Sequence, residues 1–478
     1  MVRPINGIVA AGDFTLDVAK LLTSAGIEID IKANIMQINI VEDIKRNSIT
    51  GEMLVQDAGA FVNRGPIIGQ EYFQLKVRTP SLENQEEIID FTENMLLINS
   101  VDNRSEVGND ISLYALSFTS SELVKNQRTR VNKSLRGSFS EIVKEMLETV
   151  NCQKRVFLEP TRGSKRIVAP NITPFDVINL AAKNATSVHN ETFTPNYLFF
   201  ETLKGYNFRS LSSLYAQAVV QKYDTFIPGT QALFPDRIER EFQQILDFGM
   251  VSGNDSLFNH TTGVFGSKLI SHNIYTKSFE EYTYNYFDNF ENEKHILSYH
   301  GGGFPIFSET TIERQAKSRV SDFPSRTFLT SVSKFETDKN NTELNGTEPH
   351  AAFDPENTIQ ERESTLNQLE RGILINIIVH GNTMVNAGDV VEIDIPLTTA
   401  FEMQEEELGG SDRFYSGVFL IKEIKHSFDF GEKKHKSILT LVKDSLPIKL
   451  PEVTDQEEPK PNKLLNVVSD KDILYPQR

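Results

Sequence analysis

One β-hairpin pattern occurs twice in this chain, once near each end, with the same spacing in both copies. The first copy comprises residues 95–118 and the second comprises residues 418–441. A shift of 323 positions superimposes the matching residues, which pair as Gly431 with Gly108, Leu420 with Leu97, Ile421 with Ile98, Ile424 with Val101 and Leu441 with Phe118. Each copy is typical of a strand, a Gly-containing turn and a returning strand. The repeat therefore predicts a duplicated β-domain.

The similarity between the two copies extends toward the N-terminal side of each hairpin. Gly69 and Gly388 each precede a segment in which apolar and polar residues alternate, which is typical of a strand with one buried face. The loop between this strand and the hairpin is acidic in both copies. Its candidate interface or lumen residues are Glu83, Glu86 and Glu87 in the first copy and Glu405, Glu406 and Glu407 in the second.

The composition of the chain excludes several functions and kinds of site. The chain has 478 residues and a formal net charge of −17, which disfavours an outer surface that grips DNA, because phosphate binding needs clustered Lys and Arg. Cys152 is the only cysteine, so a disulfide framework and a Cys-based zinc site are not expected. The sequence has no apolar signal region and no apolar run long enough to span a membrane. We therefore expect a protein that folds in a cytosol.

The middle of the chain has a different pattern from the two copies. Ser138 and Glu141 form a capping-box pattern, and Thr173 followed by Pro174 and Asp176 indicates a second helix start. A hairpin is predicted from Tyr197 to Leu211, strands return after Phe242, and a helix from Thr358 to Glu370 precedes the second copy. Residues 338–355 are predicted to be an exposed loop. Residues 447–461 resemble a linker, and an apolar cluster from Leu464 to Leu474 follows it. This tail could pack on its own subunit or on a neighbouring one, and the sequence leaves both alternatives open.

No catalytic pattern stands out in the sequence. Phosphate-loop, zinc-helix and nucleophile-elbow motifs are absent, and the two Asp-Phe-Gly triplets lack the other kinase motifs. Gly301–Gly303 lies beside His295 and His300, and we expect a flexible turn with two surface histidines there rather than a metal site. The sequence thus predicts no enzyme, no cofactor and no metal.

Several segments of the chain resemble the baseplate central hub proteins of contractile-tailed, T-even-like bacteriophages, which are related to the hub half of VgrG-type spikes. The similar segments cover most of residues 30–215 and 365–446. The segments that carry this resemblance are 51–54, 66–69, 118–122, 133–146, 171–176, 414–428 and 439–445.

The resemblance implies a homotrimer in which each subunit carries two domains folded like a tail-tube subunit. Three subunits would then form a six-domain ring that joins a six-fold tube to a three-fold spike. The expected fold is α+β and mainly β, with two tube-like β-barrels and an α+β middle region. The expected domains are a first barrel (1–122), a middle domain (123–215), a discontinuous second barrel (216–262 with 363–446), an insertion that packs with the middle domain (263–362) and an extended tail (447–478).

The implied function is structural. The ring would bind the tail tube or a tube-initiator protein above, a trimeric spike below and neighbouring baseplate proteins, in a virion assembled in the host cytoplasm. DNA would pass through its lumen without specific binding, and no membrane insertion is expected. Two alternatives stay open: a tail-associated peptidoglycan hydrolase, which among 66 acidic residues could use a carboxylate pair, and another tube-initiating tail protein.

Overall fold

Strands dominate the part of the chain that the structure describes. This computed structural model describes residues 11–58, 67–79, 88–107, 111–188, 194–225, 237–309, 319–332, 358–395, 412 and 414–450. The described part is α+β and mainly β, which confirms the predicted fold class. The predicted loop at 338–355 and the tail after 450 lie outside the described residues.

The first repeat is built from strands. They are β1 (Thr15–Leu22), β2 (Glu28–Asp30), β3 (Ile35–Asp43), β4 (Thr50–Asp57), β5 (Tyr72–Arg78), β6 (Ile88–Asp90), β7 (Leu96–Val107) and β8 (Ile111–Ser120). Alternate residues of these strands point into one apolar core, as the period-2 pattern predicts. Gly51 in β4 gives room to the Phe118 ring, since a Cβ atom there would come within 2.4 Å of it.

The middle region packs two helices against a hairpin. Its elements are α1 (Ser121–Arg128), β9 (Val131–Gly137), α2 (Phe139–Thr149), β10 (Val156–Leu158), β11 (Lys165–Ile172), α3 (Pro174–Asn184), β12 (Tyr197–Thr202), β13 (Gly205–Ser210) and α4 (Leu211–Tyr215). The predicted capping box from Ser138 to Glu141 is present, and the predicted helix start at Thr173 also has a capping box, which Asp176 completes. The apolar faces of α2 and α3 share a core with the hairpin.

The remaining elements form the second repeat and an inserted segment. They are β14 (Val219–Asp224), α5 (Arg237–Gln243), β15 (Ile245–Gly253), α6 (Ser256–Thr262), β16 (Gly266–Asn273), β17 (Ser278–Asn285), α7 (Tyr286–Asn289), α8 (Ile296–Tyr299), β18 (Phe304–Pro305), a 3-10 turn (Val320–Asp322), β19 (Arg326–Val332), α9 (Ile359–Arg371), β20 (Ile373–His380), β21 (Val390–Asp394), β22 (Gly417–Asp429), β23 (Lys434–Lys443) and β24 (Ser445–Leu446). The inserted strands form their own sheet in the order β17-β16-β19.

The two repeats have the same strand order. Neighbouring strands are β3-β4-β8-β7-β5-β1 in the first repeat and β15-β20-β23-β22-β21-β14 in the second. The ladders of both hairpins are also interrupted at one equivalent place, between Ile98 and Ser100 and between Ile421 and Glu423. The repeats differ at one end, where β1 pairs antiparallel with β5 but β14 pairs parallel with β21. The duplicated hairpin predicted from the sequence is confirmed.

A buried ion network attaches the middle region to the first repeat. The Lys154 Nζ lies 2.5 Å from Glu201 Oε1 and 2.9 Å from Glu122 Oε2. Glu201 also accepts hydrogen bonds from the Ser120 hydroxyl and from the Ile49 backbone N–H. Because removing one partner would leave a buried charge uncompensated, the network holds the two regions in one arrangement.

Candidate assembly interface

The sheet of the first repeat continues directly into the sheet of the second. Strand β22 pairs antiparallel with β3, from Glu423 opposite Asp43 to Asp429 opposite Gln37. The N-terminal half of β22 pairs along the same edge with β21. This contact between β3 and the C-terminal half of β22 is called the seam below.

The seam buries apolar side chains from both repeats. Phe428 of the second repeat lies in the core of the first, 5.2 Å from the Phe14 ring between centroids. Opposite it, Ile38 and its neighbour Ile40 are both 0% exposed. The seam is therefore a packed domain contact in addition to a row of backbone hydrogen bonds.

Two histidines lie side by side beneath the seam. His426 Nδ1 lies 3.2 Å from His435 Nε2, and the His435 ring stacks on Phe428 with 4.0 Å between centroids. Both side chains are buried, which disfavours a charged imidazole. Burial lowers the pKa of His426 to about 4. Burial, together with the neighbouring His426, lowers the pKa of His435 well below its usual value.

A buried carboxyl group joins three regions of the chain beside the seam. Glu42, in β3, accepts hydrogen bonds from the backbone N–H of Leu203 at 2.8 Å and of Ala387 at 2.9 Å. Leu203 belongs to the middle hairpin and Ala387 precedes β21. Burial raises the pKa of Glu42 to about 8 despite these two donors.

The second repeat has no equivalent of the seam on the strand that corresponds to β3. That strand is β15, and its outer edge pairs with no strand of the described residues. Strand β3 pairs with β4, and β15 pairs with β20, which is the counterpart of β4. Matching these two pairs of strands places Phe248 at the position of Ile38 and Met250 at the position of Ile40. Phe248 is 38% exposed and Met250 is 45% exposed. The positions whose side chains are buried by the seam in the first repeat therefore have partly exposed side chains in the second.

The first repeat has a matching open edge on the strand that corresponds to β22. That strand is β7, which pairs with β5 only through Leu96 and Leu97. Beyond this point, no strand of the described chain pairs with the same edge of Ser100 to Glu106. Residues 102–106 are exposed. The subunit therefore carries both halves of a second seam, one on each repeat.

Most of the candidate residues from the sequence are not among the described residues. Glu83, Glu86, Glu87, Glu405, Glu406 and Glu407 all lie outside them. The seam, Glu42 and the two histidines were not predicted as a site. The alternation in the hairpins could have placed His426 and His435 on the core side, because Ile424 and Leu439 share that side with them.

The prediction of two surface histidines beside Gly301–Gly303 is wrong for His295. Its side chain is buried, with Nδ1 3.0 Å from Asp444 Oδ2 and the ring stacked on Phe290. The Asp444 charge raises the pKa of His295 against the effect of burial. Spacing along the sequence could not reveal an ion pair between residues so far apart. His300 is half-buried, and its Nε2 lies 2.9 Å from the Tyr215 carbonyl oxygen.

Two kinds of feature are missing from the described part of the chain. Within it, no cluster of three or more His, Cys, Asp or Glu side chains is arranged to hold a metal ion. None of its helices has the length and apolar character needed to cross a membrane.

Comparison with known proteins finds similar folds but no similar sequence. No family model and no curated protein sequence matches this chain. A tail protein from Neisseria meningitidis MC58 is 10% identical, with a TM-score of 0.48, over 90% of this chain and 97% of that one. The 43 kDa tail protein of prophage MuSo2 from Shewanella oneidensis is also 10% identical, with a TM-score of 0.47, over 89% and 98% of the two chains.

A third similar structure is an E. coli protein described as a component of the type VI secretion system. It is 8% identical, with a TM-score of 0.38, over 90% of this chain and 77% of that one. Tail proteins and a secretion-system component are consistent with the hub resemblance found in the sequence. Every TM-score here is below 0.5, so the geometry of this chain itself is what bears on its function.

Proposed function

We propose that this protein is the central hub of a phage-tail baseplate, a structural subunit that forms a trimeric ring. Three copies with two repeats each give six similar units around one axis. Such a ring has the symmetry to bind a six-fold tube on one side and a three-fold spike on the other. The role is structural and not enzymatic.

The seam is the observation that carries this proposal. It joins two similar units edge to edge within one chain, and each unit has a further edge that pairs with no strand of the described residues. The two leftover edges correspond to the two strands of the seam, so they are different from each other and complementary. A contact between two different surfaces relates each copy to the next by the same rotation. The copies form a closed ring when a whole number of these rotations makes one full turn.

The charge of the chain supports a channel through which DNA passes. A net charge of −17 on the chain disfavours adhesion of a polyanion such as DNA. The side of the sheet away from the core presents polar residues across the seam, among them Asn39 beside Ser427 and Asp43 beside Glu423. We propose that DNA passes the lumen without specific binding.

The partners and the domain division follow from the same proposal. The ring would contact the tail tube or a tube-initiator protein above, a trimeric spike below and other baseplate proteins, in a virion assembled in the host cytoplasm. The acidic loops with Glu83 to Glu87 and Glu405 to Glu407 would serve these contacts or the lumen wall. We retain the five-part division of the chain at residues 122, 215, 262, 362 and 446 as part of this proposal.

Electron microscopy of the purified protein tests the proposal directly. The account predicts ring-shaped particles with three-fold symmetry and six similar lobes around a central hole. Particles without a symmetry axis at every protein concentration would contradict it. Particles with two-fold symmetry would contradict it as well, since a two-fold contact joins identical surfaces.

A further inference from the structure

We propose that the outer edge of β15 pairs, antiparallel, with residues 100–107 of β7 from a second copy of this chain. This inference rests on the proposed ring and specifies the contact that builds it. Each copy would donate β15 to one neighbour and β7 to the other. The ring would then contain three seams within chains and three between chains.

The seam within the chain supplies the register of the contact between chains. From Ile245 to Met250, strand β15 matches β3 residue by residue, because both ladders contain one bulge at the same place: Met36 in β3 and Leu246 in β15. Those two bulge residues are also similarly exposed, at 41% and 40%. A second bulge in β15, at Val251, has no counterpart in β3. The match places Gly249 at the position of Asn39.

Strand β7 is matched with β22 through the strands that they pair with in the two hairpins, β8 and β23. Ser105 pairs with Leu113 in the first hairpin, as Ser427 pairs with Lys436 in the second, and Leu113 and Lys436 are related by the 323-residue shift. Since Ser427 lies opposite Asn39 in the seam, Ser105 should lie opposite Gly249 of the next copy. By the same transfer, Glu106 should lie opposite Phe248.

The exposure of β15 is the second reason for this contact. A long edge strand with apolar side chains and unpaired backbone groups favours association with another strand. Val251 is exposed on this strand in addition to Phe248 and Met250. In the first repeat the corresponding core-facing residues are fully buried by β22. A neighbouring β7 would pair with this edge and reduce the exposure of Phe248 and Met250.

The ring contact differs from the seam in its backbone and in its side chains. The β7 ladder has an irregularity between Asp102 and Ser105 that β22 lacks, and β15 has a second bulge at Val251 that β3 lacks. Phe428, which covers Ile38 in the seam, corresponds to Glu106 in β7. The contact between chains therefore buries less apolar surface than the contact within the chain. A weaker contact between copies allows the subunit to fold first and the ring to assemble afterwards.

Disulfide trapping tests the register. In a Cys152→Ala background, one variant carries Ser105→Cys and Gly249→Cys, and a Cβ atom at Gly249 meets no atom within 4 Å. A matched variant carries Asn39→Cys and Ser427→Cys, which occupy the same positions in the seam of one chain. A third variant, Ser105→Cys with Asp247→Cys, shifts the register by two residues. The mass of each variant is measured before oxidation, and the oxidised proteins are run on a denaturing gel.

The account predicts that Ser105→Cys with Gly249→Cys yields covalent trimers on oxidation. The matched pair should close within the chain and migrate as a monomer, and the shifted pair should give few cross-links. If trimers are present before oxidation but the shifted pair cross-links better, or neither pair does, the strand contact is wrong while the ring remains. If every variant and the wild type are monomers, the ring itself is wrong, and the contact fails with it.

Discussion

Glu42 shows how one side chain can fix the arrangement of several regions. Its two carboxyl oxygens satisfy backbone donors of the middle hairpin and of the second repeat, although Glu42 itself belongs to the first. Buried backbone N–H groups without an acceptor are costly. The residue therefore contributes to the position of the seam without lying at any catalytic centre.

Replacing Glu42 should separate the loss of one acceptor from the loss of two. Glu42→Ala leaves both backbone donors unsatisfied and should lower the free energy of unfolding by roughly 2–5 kcal/mol. Glu42→Gln keeps one acceptor oxygen and should cost about 1–3 kcal/mol. Urea titration followed by circular dichroism measures both. Equal losses in the two variants would show that the carboxyl oxygens are not the groups that matter.

The same residue predicts a pH effect with a defined sign. Its pKa is about 8 in the folded protein and near 4.5 when unfolded, so the folded state holds the extra proton between these values. This contribution to stability is complete below about pH 4.5 and is lost as the pH rises through 8. The stability difference between wild type and Glu42→Gln should thus shrink from pH 6 to pH 9. A constant difference would contradict the raised pKa.

The histidine pair predicts the opposite trend at acid pH. A lowered pKa in the folded state means that the unfolded chain binds protons first, so stability is lost as the pH falls from 6.5 toward 4. His435→Leu removes one of the two groups. Its free energy of unfolding should fall less steeply over this range, by up to about 1.4 kcal/mol per pH unit. Identical slopes for variant and wild type would refute this.

Among the elements, the ring proposal depends on a difference between β3 and β15. Both strands occupy the same place in their repeats, but only β3 has a partner on its outer edge among the described residues. The sequence did not reveal this correspondence. The insertion separates β15 from β20, whereas β4 follows β3 directly, so the 323-residue shift that aligns the hairpins does not align these strands.

A charge on the open edge should prevent assembly and leave the fold intact. Met250→Lys places an ammonium group where the neighbouring strand would pack, and edge lysines oppose strand pairing. We expect the ring to dissociate at concentrations at least about tenfold higher than for wild type, because burial of a methionine contributes roughly 1.5–3 kcal/mol. Sedimentation velocity measures this.

The matched control for that variant is Leu329→Lys in β19, since Leu329 is 75% exposed on the separate sheet of the insertion. It should assemble as the wild type does. Unchanged urea midpoints would show that both variants fold. Assembly of Met250→Lys at wild-type concentrations would exclude β15 from the ring contact.

Copying the seam onto the open edge should strengthen the ring. Glu106→Phe reproduces the position of Phe428, and an aromatic pair across two strands contributes roughly 0.2–1 kcal/mol. The ring should then persist to lower protein concentration in a dilution series observed by mass photometry. Glu291→Phe, at an exposed position in the insertion, is the control and should change nothing. Weaker assembly of Glu106→Phe would contradict the transferred register.

At the scale of the whole molecule, the sequence predicted the parts better than their contacts. The two hairpins and the helix starts at Ser138 and Thr173 depend on residues close together in the chain, so local patterns were sufficient to find them. The seam joins strands almost 400 residues apart, and Glu42 bonds to groups 161 and 345 residues away. No local pattern encodes such pairs. The acidic loops stay a prediction from the sequence.

The mass of the purified protein in solution distinguishes a closed ring from a monomer and from a filament. It is measured by light scattering during size-exclusion chromatography over a range of concentrations. A closed ring predicts a plateau at three times the 54.1 kDa chain mass, about 162 kDa, with no growth beyond it. A monomer at every concentration would contradict the account. A mass that keeps rising with concentration would contradict it too, because it would mean that the two open edges join copies into a filament and not into a ring.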